Sequence, residues 1–182
     1  MKKLTFGLIL VLVTLTAASA VAGPDPAAPA DEVDNLNAIT AYLVGPTFIA
    51  SRTELRAVDA DPVPELVAIA ADRRKKPFVR ERAIKCMSLY RDARVQKGFA
   101  SMLETRPDQY FSLIVMAYLE AFGEDAVEDI KPFLTHKKAD VRATVVKGFG
   151  IFGGQKGYDL LVELDATESN PEVQAAIRGY VQ

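Results

Sequence analysis

Ala139-Asp140-Val141-Arg142-Ala143-Thr144-Val145-Val146-Lys147-Gly148-Phe149-Gly150 decides the fold, because its pattern returns along the chain at a near-constant spacing. A step of 31 residues back from Val141 reaches Tyr110, a second of 31 reaches Val79, and a step of 32 forward reaches Val173. Four residues after these positions stand Ala83, Ile114, Val145 and Ile177. Seven and eight after them stand Cys86-Met87, Ala117-Tyr118, Gly148-Phe149 and Tyr180-Val181. Apolar residues at offsets 0, 4, 7, 8 and 11 make one stripe of an α-helix. Self-similarity with a period of roughly 20 to 50 residues marks a repeat array.

The helix starts keep the same register. Pro77, Pro107 and Pro171 each lie two or three residues before a zero position, and proline is tolerated in the first turn because its missing N–H has no partner there in any case. Asn170 or Ser169 can cap the last of these helices. Between them the pattern predicts further helices over residues 63–74, 93–103, 125–134 and 155–165, with 33–43 opening the array. A step of 31 back from Val79 lands on Phe48, with Pro46 two residues before it, which predicts a degenerate first copy suited to a cap. Alternating strand patterns are nearly absent. The expected fold is all-α, about ten helices arranged as helix pairs.

The segments that carry Asp or Pro, any residue, Val-Arg and then small and apolar residues resemble HEAT repeats, in particular the short bacterial HEAT-like repeats. Residues 139–150 carry the resemblance best, Lys76-Pro77-Phe78-Val79-Arg80-Glu81-Arg82-Ala83-Ile84-Lys85-Cys86-Met87 is similar, and Asn170-Pro171-Glu172-Val173-Gln174-Ala175-Ala176-Ile177 is shorter. Ile130-Lys131-Pro132-Phe133-Leu134 looks like the proline-bent first helix of such a pair. The resemblance spans residues 62–182 and implies an α-solenoid of about five antiparallel helix pairs. Phe111 and Gln174 stand where Arg80 and Arg142 stand in the other copies, so an unbroken aspartate–arginine ladder is not expected. Such a fold carries no function by itself.

Composition narrows the classes. The chain has 182 residues, 49% hydrophobic and 25% charged, with one Cys, one His and no Trp. One cysteine makes no internal disulfide, and one Cys with one His cannot build a Cys/His zinc site. A formal charge of -2 offers no global attraction to nucleic acid. Met1-Lys2-Lys3 is followed by an uncharged run over residues 4–22 that ends in Ala20-Val21-Ala22. This is the pattern of a secretory signal peptide with a cleavage site after Ala22, or after Ala20, and its alternative is an uncleaved anchor. Cleavage after Ala22 leaves 20 basic against 24 acidic residues. A Pro/Ala tether over 23–30 precedes a folded domain over 31–182, and the expected location is periplasmic or secreted.

Each sharp motif has a plainer reading. Gly148-Phe149-Gly150-Ile151-Phe152-Gly153 matches the dinucleotide glycine pattern, with Asp165 and Glu168 further on. It lacks the strand–turn–helix setting that pattern requires. In register it is a helix whose small residues admit a neighbour, ended by Gly153-Gly154. Cys86 shares its position with Ala117 and Gly148 and reads as a small core residue. His136 lies in a turn without a second histidine. HEAT-like iron hydroxylases use several His-Glu pairs, which are missing here. No catalytic residue, cofactor or metal is assigned.

Two surfaces remain. Arg73, Arg74, Lys75 and Lys76 form a basic run in one turn, and His136, Lys137 and Lys138 lie in an equivalent one. Equivalent turns share an edge in a repeat array, and Asp59, Asp61, Asp92, Glu120, Glu124 and Asp125 fall on the other, so a two-sided charge distribution is expected. On the second helices, which line the concave face in HEAT-like arrays, offsets 3, 6 and 9 point outward. They are Arg82, Lys85 and Ser88; Leu113, Met116 and Leu119; Thr144, Lys147 and Gly150. An apolar strip of Leu113, Met116 and Leu119 flanked by Arg82, Lys85 and Lys147 has the character of a protein-binding site. The competing reading is a central helix apolar all round because it is buried. The function expected is an exported adaptor, scaffold or assembly factor that binds an unidentified envelope protein, with the membrane involved only if the N-terminal segment is retained. The alternatives are an enzyme or enzyme subunit like the HEAT-like bilin lyases and, against the charge and export signal, a nucleic-acid-binding protein like the HEAT-like glycosylases.

Overall fold

A computed structural model describes residues 37–104 and 109–181, and all regular structure among them is helical. The segments expected to be a signal peptide (1–22) and a tether (23–30), the first residues of the expected domain and opening helix (31–36), and Pro107 lie outside the described residues. The helices are α1 (Ala38–Val44), α2 (Arg52–Val58), α3 (Val63–Ala71), α4 (Pro77–Met87), α5 (Ala93–Glu104), α6 (Phe111–Phe122), α7 (Val127–Ile130), α8 (Ala139–Phe152), α9 (Gly154–Asp165) and α10 (Pro171–Arg178). Two 3-10 turns, Gly123–Ala126 and Lys131–Thr135, flank α7.

The repeating stripe is the core. Val79, Tyr110, Val141 and Val173 are buried, as are Ala83, Ile114, Val145 and Ile177 four residues on. Removing such side chains from water contributes about 1.5 to 3 kcal/mol for each large aliphatic. The stripes pack in chain order: α4 on α6, α6 on α8 and α8 on α10, with α3 against α4 and α5, α5 against α6, and α9 against α8 and α10.

Side chains at the position after each zero residue tie helices together. Arg80 Nε donates to the Ala70 carbonyl in the last turn of α3 (3.1 Å), and Arg142 Nη1 to the carbonyl of His136, which ends the 3-10 turn before α8 (2.8 Å). Gln174, where arginine was missing from the pattern, donates through Nε2 to the Glu168 carbonyl just after α9 (2.6 Å). The free carbonyls at a helix end need donors, and an amide serves as well as a guanidinium. Phe111 breaks the series and packs on Phe133 with ring centroids 5.0 Å apart.

Two predicted elements differ. Residues 125–134 are not one helix: Gly123, at φ +55°, and Pro132 at the start of the second 3-10 turn divide the stretch into 3-10, α and 3-10 pieces. Phe48 does not begin a helix either. Gly45 ends α1, residues 48–50 belong to no regular element, and Ser51 starts α2 by accepting from the Glu54 N–H. Serine at an N-cap outweighs the proline spacing there. α1 then packs on α2, α3 and α4.

The glycine-rich segment is the end of α8. A Cβ on Gly148 would stand 2.6 Å from Leu119 Cδ1, and one on Gly150 would stand 2.3 Å from the Tyr180 ring. These glycines let α6 and the C-terminal turn approach α8. Gly154 has φ +57°, a left-handed conformation that glycine adopts without strain, and it turns the chain from α8 into α9.

Candidate functional site

The packing of α6 between α4 and α8 decides which side chains of the proposed face reach solvent. α6 buries Phe111, Ile114, Val115, Ala117, Tyr118, Leu119 and Phe122. Ser112 and Glu120 are exposed, and Leu113 and Met116 are half-buried. Leu119, 1% exposed, is a core residue seated on Gly148, which corrects its reading as a surface anchor. The small residue at position 148 admits a leucine from the next helix, so the strip turns inward at its C-terminal end. Both readings of α6 are thus partly realised: the helix is buried on most sides and presents two partly covered apolar side chains.

Arg82 is also corrected. It is half-buried, and its Nη1 donates to the carbonyls of Leu43 (2.6 Å) and Gly45 (2.9 Å) at the end of α1. Its guanidinium carbon lies 4.7 Å from the Phe48 ring centroid and 5.3 Å from that of Phe78. Arg82 thereby closes α1 on α4, a structural duty invisible in a periodic pattern because the partner lies 39 residues back. Lys85 on α4 and Lys147 on α8 are exposed, as their offsets predict.

In the basic turn before α4, Arg73, Arg74 and Lys76 are exposed and Lys75 is half-buried. Arg74 Nε bonds Asp72 Oδ1 at 3.0 Å, and that pairing holds the Asp72 carboxyl down at about 2. Before α8, Lys137 and Lys138 are exposed while His136 is half-buried, with its Nδ1 accepting from the Lys138 N–H at 3.2 Å. The opposite edge is not purely acidic. Arg94 bridges Asp61 (2.6 Å) and Asp92 (2.8 Å), lowering both carboxyls, and Arg91 pairs with Asp125. Glu124 Oε1 accepts from the Gln155 N–H at 2.5 Å. These links join successive copies, so the acids expected to form one charged edge are in part structural ties.

The chemistry of the remaining residues is quiet. Cys86 is fully buried, and burial pushes its thiol up to about 12, far from the thiolate needed for reaction. Tyr118 stacks on Phe99 at 5.2 Å and its hydroxyl donates to Asp129; burial, then that carboxylate, raises its pKa. Glu168 is 8% exposed, and the sequence marks it only as a distant acid of the glycine motif. It takes a two-point salt bridge from Arg142 (2.7 and 2.8 Å) and accepts the N–H groups of Ser169 and Asn170, and these donors hold it near 2. A glutamate 26 residues from its arginine leaves no periodic signal. The described residues contain no group of three His, Cys, Asp or Glu able to hold a metal ion. A cleft of about 360 Å³ opens between the starts of α6 and α8, lined by Gln109, Ser112, Lys138, Asp140 and Thr144. It places Ser112 at the start of α6 beside Lys138 of the second basic turn, and Leu113 and Met116 are not in its lining.

Neither a family model, nor a curated protein, nor a solved structure matches the chain.

Proposed function

We propose that the chain is an exported HEAT-like α-solenoid of about five helix pairs that works as an adaptor or assembly factor, binding an envelope protein across α4, α6 and α8. The pairing of α3 with α4, the order α4–α6–α8–α10, and the side-chain ties that recur near the period of 31 support the solenoid reading. The observation that carries the functional reading is the exposed fringe of α6. Leu113 and Met116 remain partly open on a helix that buries most of its other apolar side chains, with exposed Lys85 and Lys147 on the helices either side. Burial of the two apolar side chains would supply affinity, and the lysines would orient a partner carrying carboxylates. Leu119 and Arg82 support this face from within and do not touch the partner.

The test is capture from an envelope extract with the full chain and with a Lys85→Glu/Lys147→Glu variant. Both positions are exposed, so the variant keeps its fold and its melting temperature. Wild type retains a protein that the double variant loses, and Met116→Ser weakens the same interaction. Retention of the same protein by all three chains would overturn the assignment of this face.

A further inference from the structure

A second surface lies at the α1–α2 end, away from the strip on α6. Val44, Ile49 and Phe78 are 42%, 65% and 39% exposed; of the other large apolar side chains that open to solvent, Ile151, Tyr158 and Val162, none has a run of cations beside it like residues 73–76. Arg82 ties the backbone beside Val44 to the start of α4. It bonds the carbonyls on either side of Val44 and lies between the rings of Phe48 and Phe78, bringing the α1–α2 link against the start of α4. Tyr42 supports the link from behind, its hydroxyl donating to the Ile49 carbonyl at 2.6 Å and its ring meeting Phe48 at 5.7 Å. Ile49 is thus held outward by a bonded backbone.

The charge around the patch has one dominant sign. Residues 73–76 supply four consecutive cations directly before Pro77-Phe78. The acids on these elements are Asp72, already bonded to Arg74, exposed Glu81 on α4, and exposed Glu54 on α2. Projecting apolar side chains beside a basic cluster suit a surface that is anionic in its outer layer and apolar just beneath. A protein pocket would need to supply both a cavity for Phe78 and Ile49 and a carboxylate rim. An anionic bilayer supplies the two without further design.

We propose that this end of the domain docks on an anionic phospholipid surface, with Phe78 and Ile49 entering the headgroup layer and residues 73–76 contacting phosphates. The docking belongs to the folded domain and is separate from any membrane role of residues 1–22. It also stands apart from the protein-binding face, since neither Leu113 nor Met116 takes part.

The chain has no tryptophan, so Phe78→Trp places a single reporter in the patch. With the full chain and vesicles of phosphatidylglycerol and phosphatidylcholine, the emission of Phe78→Trp shifts to the blue. With phosphatidylcholine alone it does not shift, and added salt weakens the response. A second chain carrying Lys75→Glu and Lys76→Glu beside the reporter needs at least ten times more anionic lipid for the same shift. Co-sedimentation without any shift would place binding elsewhere, in the N-terminal segment or on another face, and would overturn the proposal. An equal shift on neutral vesicles, or an unchanged lipid requirement in the charge-reversed chain, would also overturn it. So would a shift produced by an envelope protein and not by vesicles, which would make the patch a protein contact.

Discussion

Two buried tyrosines separate the worth of a hydroxyl from the worth of a ring. Tyr118 is fully buried, and its hydroxyl meets Asp129. Tyr90 is 6% exposed, and its hydroxyl oxygen is buried with no hydrogen-bond partner among the described residues, although Arg52 lies over its ring at 5.2 Å. An unpaired buried hydroxyl costs free energy that a hydrogen atom in its place does not. Tyr90→Phe therefore leaves stability unchanged or raises it by up to about 1 kcal/mol, whereas Tyr118→Phe lowers it by about 1 kcal/mol. Urea unfolding of the two variants beside wild type checks the pair, and a loss for Tyr90→Phe equal to that for Tyr118→Phe would show that Tyr90 has a partner. At this scale the sequence discloses burial better than duty. Offsets predicted that Lys85 and Lys147 face outward, but they could not reveal that Leu119 fills the room left by Gly148 or that Arg82 is engaged with α1. Both depend on what stands opposite, which no single stripe contains.

Helices are the scale at which the sequence was most legible. The zero positions and their neighbours four residues on are buried in every copy from Val79 to Val173, because the periodicity that reveals a helix is the one that buries it. Legibility failed where local chemistry overrode period, at Gly123 and Pro132 around α7 and at Ser51 before α2. At Gln174 the aspartate–arginine ladder is interrupted as expected, yet a neutral amide still donates to a backbone carbonyl there, a duty the pattern does not disclose. The junction from α9 to α10 carries a pH signature. Glu168 drops from an ordinary 4.5 to about 2 on folding, because Arg142 and two N–H groups favour its charged form. Its stabilisation is therefore complete above pH about 4.5 and fades as pH falls toward 2, where the folded carboxylate takes up a proton. Glu168→Gln at neutral pH costs on the order of 2 kcal/mol, allowing for partial solvent screening of the pair. The gap between wild type and variant narrows as pH is lowered from 5 to 2. Thermal melts of both chains across that range measure it, and a constant gap would mean that the carboxylate charge is not the stabilising element.

For the whole domain, the order of contacts sets how stability is distributed. Each large helix packs on its near neighbours in sequence: α4 touches α3 and α6, α6 touches α5 and α8, α8 touches α9 and α10. The polar ties obey the same rule, with Arg94 reaching back to Asp61, Arg91 forward to Asp125, and Glu124 forward to Gln155. In such an arrangement stability is close to a sum of unit terms and nearest-neighbour terms, and end units have one neighbour in place of two. α6 and α8 bury the most aromatic and branched side chains and carry neighbours on both sides. α2 buries only Leu55, and α10 buries only Val173 and Ile177. Local opening consequently begins at the ends, and hydrogen exchange read by mass spectrometry gives protection that rises from α2 to α6 and falls again from α8 to α10. Gly148→Val, which drives a side chain into Leu119, lowers protection in α6 and α8 first and reaches α2 last. Were every helix to exchange at one common rate, and Gly148→Val to lower all of them together, the domain would unfold as a single unit. The neighbour-sum description, and with it the strongest physical support for a repeat array, would then be lost.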